Sequence, residues 1–108
     1  MSYGSEEYQG HPNRETWAFH LHRANDRYLY ELAQSTTRAV LARVSDPFPV
    51  YLGELVVEAI RDAVEEFAAI DAMRDIGSWW RIDEHHVGAT MLAEIAEMDA
   101  YEGGGEAA

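Results

Sequence analysis

The sequence predicts an all-α protein, a small single-domain bundle of about four helices. Apolar residues between Leu52 and Phe67 recur at three- and four-residue steps, a period that helices explain and strands do not. Short polar side chains that cap helices, Asn13, either Asn25 or Asp26, and Asp83, stand at the head of periodic stretches. The run Asp46-Pro47-Phe48-Pro49 breaks the pattern between two such stretches. A chain of 108 residues has room for one core, and 47% hydrophobic with 11% aromatic residues is ample to fill it.

Residues 1–12 are polar and turn-rich and read as a flexible lead-in, with Tyr3 and Tyr8 as side chains that can dock on the domain. The helical domain is expected over 13–101. Asn13 caps a short first helix, Glu15 sits in its first turn where the helix dipole favours negative charge, and Trp17, Ala18 and Leu21 form its apolar stripe with Phe19 to the side. Asn25-Asp26 makes a corner, because both residues favour caps over helix interiors. A second helix follows from Arg27 to Val44 with Leu29, Leu32, Ala33, Thr36 and Val40 facing inward, and the proline connector after it tucks Phe48 into the core.

The third helix turns Leu52, Leu55, Val56, Ala59, Ile60, Ala63 and Phe67 inward, and Glu54, Glu58, Asp62, Glu65 and Glu66 occupy its other face. Trp79-Trp80 are adjacent and cannot point the same way, so one belongs to the core and the other is partly exposed; alternatively both line the core with their N–H groups satisfied. An exposed tryptophan is a candidate anchor for a partner, and Trp80 is taken as that residue. Asp83 caps a last helix over Glu84 to Tyr101, with Val87, Met91, Ile95 and Met98 inward. Residues 102–108, with three consecutive glycines, are expected to fray into a disordered tail.

The bulk charge is unusual: 20 acidic against 8 basic residues, a formal net charge of -12. Every basic residue is arginine, which fits a GC-rich coding bias. Such a charge argues against direct binding to nucleic acid or to an anionic membrane, since attraction to phosphate supplies most of that affinity, and it suits a basic protein partner. Without cysteine there are no disulfides, thiolate metal sites or cysteine nucleophiles. No signal peptide or membrane span is recognisable, so a cytoplasmic protein is expected, folding alone or as a homo-oligomer.

Asn13-Arg14-Glu15-Thr16-Trp17, then Leu21, Asn25-Asp26 and Leu29-Tyr30, resembles the opening signature of a group of small uncharacterised proteins carried by bacteriophages and related mobile elements. Asp75-Ile76-Gly77-Ser78-Trp79-Trp80-Arg81-Ile82-Asp83 is similar to a block near that group's C-terminal helix. The chain departs from the group where Arg27-Tyr28 replaces an acidic residue and glycine, and in lacking a tryptophan near His85. The resemblance implies a setting and no reaction.

No motif singles out a catalytic group. A nucleophile elbow, a phosphate loop and a dinucleotide fingerprint are all missing, so no enzyme and no cofactor is expected. His20 and His22 lie two apart and His85-His86 are adjacent, neither matching the i, i+4 pair of helical zinc motifs, so no metal is expected either. Two functions remain. One is a protein that binds a host or defence component through Glu54, Glu58, Asp62, Glu65, Glu66 and Trp80, acting as a nucleic-acid mimic: carboxylates about one turn apart form a row spaced about 6 Å, comparable to phosphates along one DNA strand. The other is an accessory in the element's own replication or assembly.

Overall fold

A computed structural model describes residues 8–66 and 74–107, with side chains as far as Tyr101. Four α-helices account for most of it: α1 (Arg14–Asn25), α2 (Arg27–Arg43), α3 (Pro49–Glu66) and α4 (Glu84–Ala107). A 3₁₀ turn, Trp79–Arg81, lies just before α4, and no strand is present among the described residues. The fold is therefore all-α, and α1, α2 and α4 start at capping residues that the sequence offers, while α3 opens on Pro49. Asn13 Oδ1 accepts from the Thr16 amide at 2.9 Å, Asp26 Oδ1 from Leu29 at 3.0 Å, and Asp83 Oδ1 from His86 at 3.0 Å. Each bond satisfies an amide that the helix itself leaves free.

The core is built mainly between α3 and α4. Leu52, Val56, Val57, Ile60, Ala63 and Val64 face Val87, Met91 and Ile95, all buried. The two helices approach so closely because each has a glycine at the crossing. A Cβ on Gly53 would collide with the Glu84 carbonyl, and one on Gly88 with the Pro49 carbonyl. Any larger residue at either position has to push the helices apart.

The structure corrects several details. Leu21 is 40% exposed, Trp17 is half-buried, and Phe19, expected at the side, is completely buried. The inward face of α1 carries Ala18, as its spacing predicts, together with Thr16, Phe19, His20 and Arg23, so three of its five buried residues are polar and invisible to apolar counting. On α2 the buried threonine is Thr37, whose hydroxyl donates to the Ala33 carbonyl at 2.8 Å; Thr36 and Leu32 are half-buried. Leu55 is also half-buried. Phe48 is not in the core but 78% exposed, held between two prolines at the entrance to α3.

At the ends, the helix expected to stop at Tyr101 continues as backbone helix to Ala107. Residues 8–12, assigned to the lead-in, hold a tight turn: Tyr8 and His11 exchange two main-chain bonds of 2.8 Å. Gln9 and Gly10 between them have φ of 50° and 83°, the left-handed pair that a two-residue hairpin turn demands. This turn lays Tyr8 on Trp17, ring centroids 4.9 Å apart. Phe67 and Tyr3 lie outside the described residues.

Candidate functional site

Two arrangements stand out once the helices are in place: an acidic surface on α3 and a polar clasp that fixes the tryptophan pair. On α3, Glu54, Glu58, Asp62, Glu65 and Glu66 are all exposed. Among the described residues Glu65 alone of these is paired, with Arg61 at 3.4 Å and one turn away. The glycine crossing brings the start of α4 beside this face and adds a further carboxylate that the sequence row did not include. Burial raises the Glu84 carboxyl above the ordinary range, and the nearby charges of Glu54, Glu58 and Asp83 raise it further. The surface therefore spans two helices, and its carboxylates feel one another.

Trp79 and Trp80 separate as opposite faces of a tight turn require. Trp79 is buried, edge-on to Phe19 with centroids 6.1 Å apart, and its indole N–H has no hydrogen-bond partner among the described residues. Trp80 is 81% exposed, and the Arg81 guanidinium stacks over it at 5.5 Å. Its platform comes from the start of α1. Asn13 Nδ2 donates to the Arg81 carbonyl at 2.8 Å, and an Arg14 guanidinium nitrogen to the Ile76 carbonyl at 3.1 Å. Arg81 Nε donates to Glu15 at 3.4 Å, and the Asp83 amide donates to the Thr16 hydroxyl at 2.9 Å. Four consecutive residues of the opening motif thus each hold the segment 76–83. Asn13 uses both ends of its amide, one to cap α1 and one to cross to Arg81. The two blocks singled out in the sequence are one structural unit.

A family match agrees with that extent: a model described as a family of unknown function, DUF7249, matches residues 4–100. The chain belongs to this family. Both clasped blocks, the acidic face and the helical middle fall inside the matched span. No curated protein matches, and no solved structure matches. The family carries no reaction to transfer, so the site has to be read from its own chemistry.

The structure also assembles histidines that spacing kept apart. His11 from the hairpin turn, His20 from α1 and His86 from α4 form a triangle with ring centroids 5.2, 5.3 and 5.3 Å apart. Arg23 is 3% exposed, grips Glu94 with bonds of 2.7 and 3.3 Å, and donates its Nε to His20 Nδ1 at 2.9 Å. Since arginine only donates, Nδ1 of His20 keeps its lone pair and the ring proton sits on Nε2. That Nε2–H is buried and meets no acceptor among the described residues. Among the described residues no group of three or more His, Asp or Glu is placed to hold a metal ion.

Burial pushes the His20 imidazole down to about 3, helped by Arg23, His86 and His11. His86 is also lowered, by burial first and then by His11 and His85, against an upward pull from Asp83. These rings are neutral wedges in the fold at neutral pH. No helix among the described residues is long and apolar enough to cross a membrane.

Proposed function

We propose that the chain is a non-catalytic interaction protein of a phage or mobile element, working in the host-cell cytoplasm. In this reading its acidic face engages a basic surface on a host or defence protein and imitates nucleic-acid backbone. The observation that carries it is the placement of Glu54 and Glu58 beside Glu84, whose carboxyl is raised first by burial and further by those charges, on a surface where Glu65 alone of the α3 carboxylates is paired among the described residues. Like charges held together cost stability, and a fold retains them most readily when a partner of opposite charge relieves the strain.

The α3 row has the repeat such mimicry needs. Glu54, Glu58, Asp62 and Glu65 recur at close to one turn, about 5.4 Å of rise, which approaches the separation of phosphates on one strand. Trp80, exposed and stacked under Arg81, offers an aromatic contact outside the row. The phage setting is supported by the resemblance of the two clasped blocks to proteins of such elements.

The test replaces Glu54, Glu58 and Glu65 with Gln and Asp62 with Asn. All four side chains are exposed, so circular dichroism and the melting temperature should hold. Pull-downs from host lysate over a salt series should show partners that leave the original protein steeply with salt and are depleted on the amide variant. Recovery of the same partners at the same salt by both proteins would reduce the row to a solvated face.

A further inference from the structure

The connector expected to bury Phe48 instead displays it, and Val44 and Tyr51, on either side of that connector in the chain, line a groove. Between α2 and α3 an open groove of about 290 Å³ is lined by Ala39, Val40, Val44, Tyr51 and Leu55, with Thr36 and Arg43 on the α2 bank. Phe48 sits in the connector between the two banks. Its carbonyl accepts from Leu52 at 3.1 Å and prolines flank it on both sides, so the backbone that presents the ring is fixed. Val44, Phe48, Val50 and Tyr51 are 42%, 78%, 50% and 48% exposed, a concentration of large apolar side chains at one end of an otherwise highly charged molecule.

We infer that this groove is the anchor pocket of the acidic surface and takes one large apolar side chain from a basic segment of the partner protein. The inference rests on the reading of that surface given above and names what its partner must carry. Charge selects the occupant. Glu54 and Glu58, exposed and without an ion pair among the described residues, alternate along α3 with the groove-lining Tyr51 and Leu55. A chain seated in the groove therefore runs within a side chain's length of two carboxylates. A second copy of this protein would bring its own net charge of -12 to that contact, whereas a lysine- or arginine-rich segment brings the opposite sign. Arg43, which has no ion pair among the described residues, faces the occupant as a donor for its main-chain carbonyls. A groove with mainly apolar walls, one of them the aromatic Tyr51, flanked by charge, is the arrangement in which a few anchors carry most of the affinity.

The probe is a pair of synthetic lysine-rich helical peptides, identical except for a central leucine in one and alanine in the other. Each is titrated into the isotope-labelled full chain while amide NMR shifts are followed. The leucine peptide should bind at least about tenfold tighter, the return expected for burying one such side chain. Its shifts should centre on Ala39, Val40, Val44 and Leu55. Val44→Ser and Tyr51→Ser should bring the leucine peptide down to the affinity of the alanine peptide without moving the melting temperature. Equal affinity for the two peptides, or shifts that avoid the groove, overturns the anchor. The amide variant of the α3 row separates the two ideas: if it binds both peptides as tightly as the original, the acidic surface fails, while the leucine-to-alanine ratio still decides the groove.

Discussion

Acidification should unlock the fold at His20, and the magnitude follows from its burial. In the unfolded chain the imidazole titrates near 6.5; in the folded protein it is held down to about 3. The folded value is the lower one, so the unfolded state binds the extra proton first. The His20 contribution is complete above pH 6.5, falls as pH drops, and is exhausted near pH 3. At about 1.36 kcal/mol per pH unit the whole interval is worth about 5 kcal/mol, and the part spent by pH 5 is about 2 kcal/mol. A domain of this size has about 5 to 15 kcal/mol in total. Carboxylate protonation acts in the opposite sense, since it relieves the self-repulsion of a chain with net charge -12. A single protein's pH profile therefore mixes two effects, and the difference from a variant isolates one. His20→Asn serves, because the amide oxygen can take the Arg23 Nε–H in place of Nδ1 and does not titrate in this range. Urea unfolding of both proteins at pH 7.5, 6 and 5 should show the original losing about 2 kcal/mol more than the variant between the extremes. Stability curves that run parallel would refute the assignment of His20 as a buried neutral ring.

The helix crossing should be intolerant of a single methyl group. Gly88→Ala places a Cβ against the Pro49 carbonyl and should cost about 1 to 3 kcal/mol or more, read as a drop in the melting temperature; a neutral result would mean that α3 and α4 separate freely. Thr16→Val keeps the shape of a fully buried side chain but leaves the Asp83 amide without its acceptor, for about 1 to 3 kcal/mol, and hydrogen exchange at Asp83 should accelerate. Trp17→Ala should cost less than the about 3 to 5 kcal/mol of a fully buried indole, since Trp17 is only half-buried between Tyr8 and the core; a larger loss in urea unfolding would place it deeper than the structure does.

What could be read in the sequence was whatever depended on neighbours in the chain. Asn13, Asp26 and Asp83 cap helices through amides three residues on, so residue type and position in the chain reveal Asn13 and Asp83 and narrow the third to Asn25 or Asp26. The period of α3 is likewise local, and the exposure of its carboxylates follows from it. The inward face of α1 could not be read that way. Thr16 and Arg23 are buried because their partners, Asp83 and Glu94, lie 67 and 71 residues away, and apolar spacing pointed to Leu21 instead. The histidine triangle escaped for the same reason, since its members come from a turn and two helices. Phe48 was misplaced because two prolines dictate where a chain bends and say nothing about which way the intervening side chain points. Glu84 joined the acidic face through the glycine crossing, which no charge pattern along α3 could announce.

The clasp between the opening motif and the segment before α4 also sets a timetable. Its bonds close over 62 to 68 residues of chain, from Arg14 to Ile76 and from Asn13 to Arg81. A ribosome adding about 5 to 20 residues per second needs several seconds to travel from Thr16 to Asp83. Through that interval α1 has its caps but not its anchors, and Phe19, destined for complete burial, has no Trp79 to pack against. The first helix to be made is then among the last to be secured, and a nascent chain halted anywhere before Ile76 presents its motif with none of the clasp to hold.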